Sequence, residues 1–227
     1  MQALEPKARA LTKTELIHGL LRQGILELKY RPGDYLNIDE LARQHEISPI
    51  PVREAVARLV AERLVIMQPH IGAEVAPLDE TSVREIFAFL GGLETAAIDD
   101  IVAKATGDDI SDLRQIYSEI GRLRLPEDLK SWDRSNAAFH VKLASIAQLP
   151  SILVHLRVVF DHWDRARRYF FEISPGRDAS KAQREHLAMI RALEKKDEGL
   201  LRSLLYQHNK RACLIYLKLL ASAHKSI

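Results

Sequence analysis

The chain predicts a mainly α fold built in two parts, and three observations carry that expectation. Residues 36–76, LNIDELARQHEISPIPVREAVARLVAERLVIMQPHIGAEVA, show two short helical patterns across a tight turn, then two short extended runs. Beyond Pro77-Leu78-Asp79 there is no convincing strand, only amphipathic helical periodicity. Breaks at Thr106-Gly107-Asp108, Leu125-Pro126, Leu149-Pro150 and Ser174-Pro175-Gly176 cut that periodicity into lengths suited to a bundle. The expected division is residues 1–76 and 77–227.

Each element has a local reason. Thr12-Lys13-Thr14-Glu15 has capping-box spacing, which opens the first helix with Leu16, Ile17, Leu20, Leu21 and Leu28 assigned to one apolar face. Arg31-Pro32-Gly33-Asp34 ends it. Asn37-Ile38-Asp39-Glu40 repeats the cap signature for a second helix that turns Leu41 and Ala42 inward. Pro51 is placed at the first position of the third helix, where its missing N–H costs nothing, and Ile50 before it makes a poor cap. That helix is expected to reach about Arg63, burying Val52, Ala55, Val56, Leu59 and Val60 and leaving Arg53, Glu54, Ala57 and Arg58 outside. Leu64–Gln68 and Ala73–Ala76 read as strands around a tip of Pro69-His70-Ile71-Gly72. The later helices are expected at 80–105, 108–123, 126–148, 150–173, 177–196 and 197–223. Two helices, a turn and a hairpin make a winged helix-turn-helix; the C-terminal remainder is expected to be an all-α helical bundle.

Composition narrows the function classes. With 47% hydrophobic and 28% charged residues the chain is ordinary for a soluble globular protein. No apolar run approaches the ~20 residues that cross a bilayer, and MQALEPKARALTK lacks a signal-peptide core. Cys213 is the one cysteine, so no internal disulfide framework exists, which fits a cytoplasmic location. Inside an apolar helical run it reads as a buried small hydrophobe. Net charge is only +2, and residues 1–76 hold ten Lys/Arg against ten Asp/Glu. Any affinity for nucleic acid therefore rests on where charges sit, not on their sum.

Helix-turn-helix proteins lay the second helix of the motif in the major groove of double-stranded DNA. Arg53, near the start of that helix, has the fork that pairs bidentately with guanine. Arg58 is better placed for phosphate, with Arg43, Arg22 or Lys29 on the flanking backbone. Ser48 in the turn, His70 and the close-approaching Gly72 complete the candidate DNA contacts. The run LNIDELARQHEIS-PIPVREAVARLVAERLV, and PVREAVARL within it, resembles the GntR superfamily of bacterial transcription regulators over residues 14–76. Two positions depart from that pattern: Pro49 stands where the family carries a DNA-contacting arginine, and Arg63 where a glycine precedes the wing. The resemblance implies DNA reading, but not the family's usual operator.

In the second half, Asn136 and His140 lie four apart and share a helix face. His186 and His208 each have apolar neighbours at helical spacing. Three imidazoles and an amide oxygen from three helices make a candidate site for a divalent ion, Zn²⁺, Ni²⁺ or Mn²⁺. Spacing alone leaves core histidines as the other reading. Phe139-His140 after Asn136, Glu185-His186 and His208 also look like the FCD effector domain of the FadR branch of the GntR superfamily, over residues 79–223. That resemblance implies Asn136, His140, His186 and His208 as metal ligands, a small organic acid as effector, and a homodimer on a near-palindromic operator. Asn136 replaces a more usual aspartate, which leaves the ion's charge uncompensated among neutral ligands. Leu90 replaces an effector-binding arginine. Arg84, about a turn and a half away, and Arg157 are carried as candidate effector contacts, while Arg157, Arg165, Arg167 and Arg168 together read as a solvated helix face. Trp163, Tyr169, Phe170 and Phe171 read as core or pocket wall.

Two other functions use the same residues differently. A metalloenzyme needs a general base beside its ligands; Glu185 is the one acid there, and its position next to His186 directs it elsewhere. A constitutive DNA-binding dimer needs only structural histidines. Metal content and a response to carboxylates separate this from an effector-responsive regulator.

Overall fold

The computed structural model describes residues 10–69, 71–124, 127–173 and 180–223. The chain divides into two compact units, residues 1–77 and 78–227.

In the first unit, α1 (Lys13–Leu26) begins at a completed capping box. Thr12 Oγ1 accepts from the Glu15 N–H at 3.1 Å, and Glu15 Oε2 accepts from the Thr12 N–H at 2.8 Å. The strand β1 (Tyr35–Leu36) leads into α2 (Ile38–Gln44), capped by Asn37 Oδ1, which accepts from the N–H groups of Asp39 and Glu40. Then come α3 (Pro49–Ala61), β2 (Val65–Gln68) and β3 (Gly72–Val75). The sheet is antiparallel in the order β1-β3-β2, with Val65 opposite Val75 and Gln68 opposite Gly72. Ile17, Leu21 and Ile25 of α1 bury against Leu41, Val52, Ala55, Val56 and Leu59, so α3 is fixed by its apolar stripe and keeps the opposite stripe exposed.

Several sequence-based expectations differ from the fold. Leu16 and Leu20 are exposed, because each lies one residue, about 100° of helix, from the buried Ile17 and Leu21. Leu28 is buried but lies past the end of α1, at φ +62°. β1 escaped notice because two residues carry no periodicity. Helix α3 starts two residues earlier than expected: Ser48 is its N-cap, Pro49 its first residue and Pro51 its third. Both prolines fit, since the first four N–H groups of a helix have no intrahelical partner to lose. The helix ends at Ala61, with Glu62 at its C-cap.

The second unit holds α4 (Glu80–Ala96), α5 (Ile98–Lys104), α6 (Gly107–Arg122), α7 (Leu129–Ser145), α8 (Pro150–Ile173), α9 (Ser180–Glu194) and α10 (Glu198–Ala223). The helix expected over 80–105 is two, because the backbone breaks at Ala97, which caps both. Its boundary lacks Gly or Pro, which hid it. Helix α4 packs on α8 and α10, and α6 on α7 and α9. One apolar cluster gathers Phe139, Leu143, Met189 and Leu205; another gathers Phe87, Leu90, Phe160, Trp163 and Tyr216. Arg165 and Arg167 are buried, not on a solvated face. Arg167 pairs with Asp164 at 2.5 Å and lies over the Trp163 ring, and burial pulls the Arg165 guanidinium down to about 10. Cys213 is half-buried, and that burial raises its thiol above the usual value, as suits an inert packing residue.

Arg63 adopts φ +56°, the left-handed region in which a Cβ is strained. This is where the resemblance expects glycine, and the backbone supplies the reason. Arg63→Gly should stabilise the protein by about 0.5–1 kcal/mol in urea denaturation. A loss of stability would show that contacts of the arginine side chain outweigh its backbone strain.

Candidate metal centre and nucleic-acid interface

Helix α3 presents Arg53 and Arg58 to solvent, and among the described residues neither has an ion-pair partner. Glu54, beside them, instead accepts from Thr14 Oγ1 at 2.8 Å and ties α3 to α1. Arg43 and Ser48 are exposed and border a shallow cleft of about 500 Å³ with Lys13 and Pro49. Arg22 is held by Glu62 at 2.8 Å, which also receives His18 at 2.6 Å, so it is less available for phosphate than the sequence implied. Gly72 has φ +120° at the start of β3, a conformation that excludes most side chains there. His70 lies outside the described residues.

The second unit assembles its polar residues differently, in the interior. Asn136 and His140 of α7, His186 of α9 and His208 of α10 are all at most 3% exposed. Ring centroids lie 5.1–5.3 Å apart, and one nitrogen from each imidazole falls within 4.8 Å of the others. Bonds of ~2.1 Å to a tetrahedral ion set donors about 3.4 Å apart, so a small inward shift would close the set.

Hydrogen bonds determine which nitrogen faces inward. His140 Nδ1–H donates to Glu94 Oε1 at 2.6 Å, and His208 Nδ1–H to Glu185 Oε2 at 2.7 Å. His186 Nδ1–H donates to Gln183 Oε1 at 3.1 Å. An ionised carboxylate only accepts, so the first two rings carry a proton on Nδ1 and turn Nε2 inward. Burial opposes ionisation of Glu94, yet His140 and Asn209 hold its carboxyl below the usual value. Glu185, also opposed by burial, is held at about 2 by His208 and Arg211. Burial first, then neighbouring positive charge, pushes His186 well below the usual imidazole value; burial lowers His208, partly offset by Glu185. Neutral imidazoles are the form that binds metals.

The test of fit is what these atoms lack. Nε2 of His140 and of His186, and both side-chain polar atoms of Asn136, are buried without a hydrogen-bond partner. A buried polar atom left so costs roughly 1–3 kcal/mol. Three imidazole donors with oriented outer partners suit a divalent transition metal, which would satisfy several of these atoms at once.

The geometry of this centre revises two expectations. Glu185 does not point away: it reaches the outer nitrogen of His208, too far out to be a ligand. The site is also not without negative charge, because Glu94, buried at 2% exposure, lies directly behind His140. Arg84 and Arg157 are both exposed and outside the cluster. Arg84 pairs with Glu80 at 2.6 Å, and Arg157 is turned about 100° from the buried Leu156. Leu90 is buried in the apolar wall. Sequence reasoning missed Glu94, Asn209 and Gln183, while Trp163, read as core or pocket wall, is buried beside His140. Glu94 had a signal: it continues the inward stripe Val83, Phe87, Leu90 by four residues.

A winged helix-turn-helix joined to a helical unit with a histidine centre defines a class of bacterial transcription regulator. The FCD domain family matches residues 85–211, more than half of the chain, and the family described as bacterial regulatory proteins, gntR family, matches residues 13–75. The chain belongs to this family: it is a GntR-type transcriptional regulator with an FCD domain, not an enzyme. It is 31% identical over 148 residues to an HTH-type transcriptional regulator in an unstable DNA locus of Streptomyces ambofaciens, covering 65% of this chain and 62% of that relative. The regulator BphR of Paraburkholderia xenovorans is 28% identical over 81% of this chain and 77% of its own. The nta operon regulator of Aminobacter aminovorans is 27% identical over 74% and 79%. Among solved structures, E. coli McbR/YncC shares the fold with a TM-score of 0.72 at 20% identity, over 92% of this chain and 99% of that one. No helix among the described residues is long and apolar enough to cross a membrane.

The depressed histidines predict a pH dependence. Folded His186 and His208 bind protons more weakly than the usual 6.5, so the unfolded chain takes up more protons as pH falls through that value. Chelator-treated protein should therefore melt progressively lower as pH drops from 7 to 5, and His186→Gln should flatten that slope. An unchanged melting temperature across this range would mean the rings are not buried as neutral bases.

Proposed function

We propose that the protein is a cytoplasmic, metal-dependent homodimer that binds a near-palindromic DNA operator and responds to a small organic acid. The observation that carries this reading is the pair of buried, unpartnered Nε2 atoms of His140 and His186 with the unpartnered Asn136 amide, and His208 of a third helix beside them. A divalent ion supplies Lewis acidity there: it would be held by His140, His186, His208 and Asn136, and draw an anion to the centre. Support for an acceptor-bearing effector comes from Trp163. Its indole N–H is buried without an acceptor, and its ring lies 6.2 Å from that of His140. The winged unit supports DNA reading through Arg53 and Arg58, with Arg43, Ser48 and Gly72 as flanking contacts. One such unit spans a half-site, so two-fold pairing is the natural arrangement.

Two experiments test this. Zn²⁺ or Ni²⁺ added with a panel of small carboxylates should raise the melting temperature beyond metal alone, as ligand binding to the folded state requires. No shift from any metal, with or without acid, would contradict the effector reading and leave a constitutive DNA-binding protein. Arg53→Ala should weaken binding to a selected operator by roughly 1–3 kcal/mol in fluorescence anisotropy, with a smaller effect on random DNA. Equal loss on both would restrict Arg53 to phosphate.

A further inference from the structure

Resting on the metal reading above, a charge problem remains at the centre. Asn136 and three imidazoles supply no negative charge, whereas a divalent ion brings two positive charges into a bundle interior. Two carboxylates stand behind the ligands. Glu185 is partly exposed and already answers a cation, because Arg211 Nε donates to it at 2.8 Å and its Nη2 contacts it again. Glu94 is different. Its side chain is 3% exposed, and its oxygens accept from His140 Nδ1 at 2.6 Å and Asn209 Nδ2 at 2.7 Å. Among the described residues no lysine or arginine pairs with it. A buried carboxylate without a cation is costly, and such groups are ordinarily paired or lie near a metal.

We propose that Glu94 is the charge-balancing and positioning residue of the metal centre, acting through the His140 ring, and that Asn209 fixes its carboxylate in place. The anion the ligand set lacks is thereby moved one residue outward. Its hydrogen bond aims Nε2 of His140 inward and raises the basicity of that ring. Asn209 comes from α10, the helix that also carries His208, so Glu94 links α4 to two of the ligand-bearing helices. These contacts explain the lone acid on the buried stripe of α4: it has an occupation there that a leucine could not perform.

The test is a Zn²⁺ competition titration of the full chain against a chromophoric chelator, with melting of the chelator-treated protein alongside. Glu94→Gln, which keeps the shape and removes the charge, should bind Zn²⁺ 10–100-fold more weakly. Its metal-free form should melt no lower than the parent. Adding Asn136→Asp to Glu94→Gln, which returns a carboxylate to the site itself, should recover at least tenfold of that loss. A purely structural role predicts no such rescue. Should Glu94→Gln fail to fold, Glu94→Asp and Asn209→Ala serve instead: the first retains charge and should bind within about threefold of the parent, the second should bind detectably more weakly. Zn²⁺ affinity equal to the parent in Glu94→Gln, or loss that Asn136→Asp leaves untouched, overturns the assignment while the metal reading stands. Failure of the parent itself to bind Zn²⁺ or Ni²⁺ overturns the metal reading, and this assignment with it.

Discussion

Polar atoms enclosed by a helical bundle, without partners, are the constraint on which the second unit depends. His140, His186 and Asn136 are buried from bulk solvent, and the surroundings are aromatic: Phe139 stacks on His186 at 4.3 Å, and Phe160 and Trp163 flank His140. An apolar core of leucine and phenylalanine would be more stable at these positions on burial grounds alone. The arrangement is retained at a cost to stability, and each outer nitrogen is meanwhile carefully satisfied. A ring bonded on its outer side and left open on its inner side is how a metal-binding histidine is held in its orientation.

The winged unit solves a separate problem with the same economy of means. Its sequence is balanced in charge, so long-range attraction to DNA is weak. Packing of α1 against α3 consumes Thr14 and Glu54, and Glu62 consumes Arg22 and His18. Arg53 and Arg58 remain as the cations on the outer face of α3. Pro49 at the first position of that helix removes a donor where none is needed, which explains how the fold accepts proline where its relatives' pattern has arginine.

Much of this was legible in the sequence, for identifiable reasons. The capping box at Thr12 obeys local chemistry, and so do the breaks at Thr106-Gly107-Asp108 and Leu149-Pro150. The three histidines stood out because rare residue types at helical spacing are visible without a structure. Other features depended on contacts between distant segments. Nothing near Glu94 in the sequence reveals His140 or Asn209 as partners, 46 and 115 residues away. The buried Arg165 and Arg167 look like any charged run until α8 is seen against its neighbours. Leu16 and Leu20 misled because their side of α1, about 100° from Ile17 and Leu21, is left exposed by the packing of the winged unit, which the periodicity alone does not show. The break at Ala97 gave no signal, since alanine is the best helix former and its conformation there answers to packing.

The central claim is that these inward nitrogens exist to hold an ion. Crystals of the full chain grown with Zn²⁺ and measured on both sides of the zinc absorption edge test it most directly. One anomalous peak is expected about 2.0–2.1 Å from a nitrogen of each of His140, His186 and His208. A structure in which those three rings close on one another, or on ordered water alone, with the anomalous signal elsewhere or missing, would contradict it.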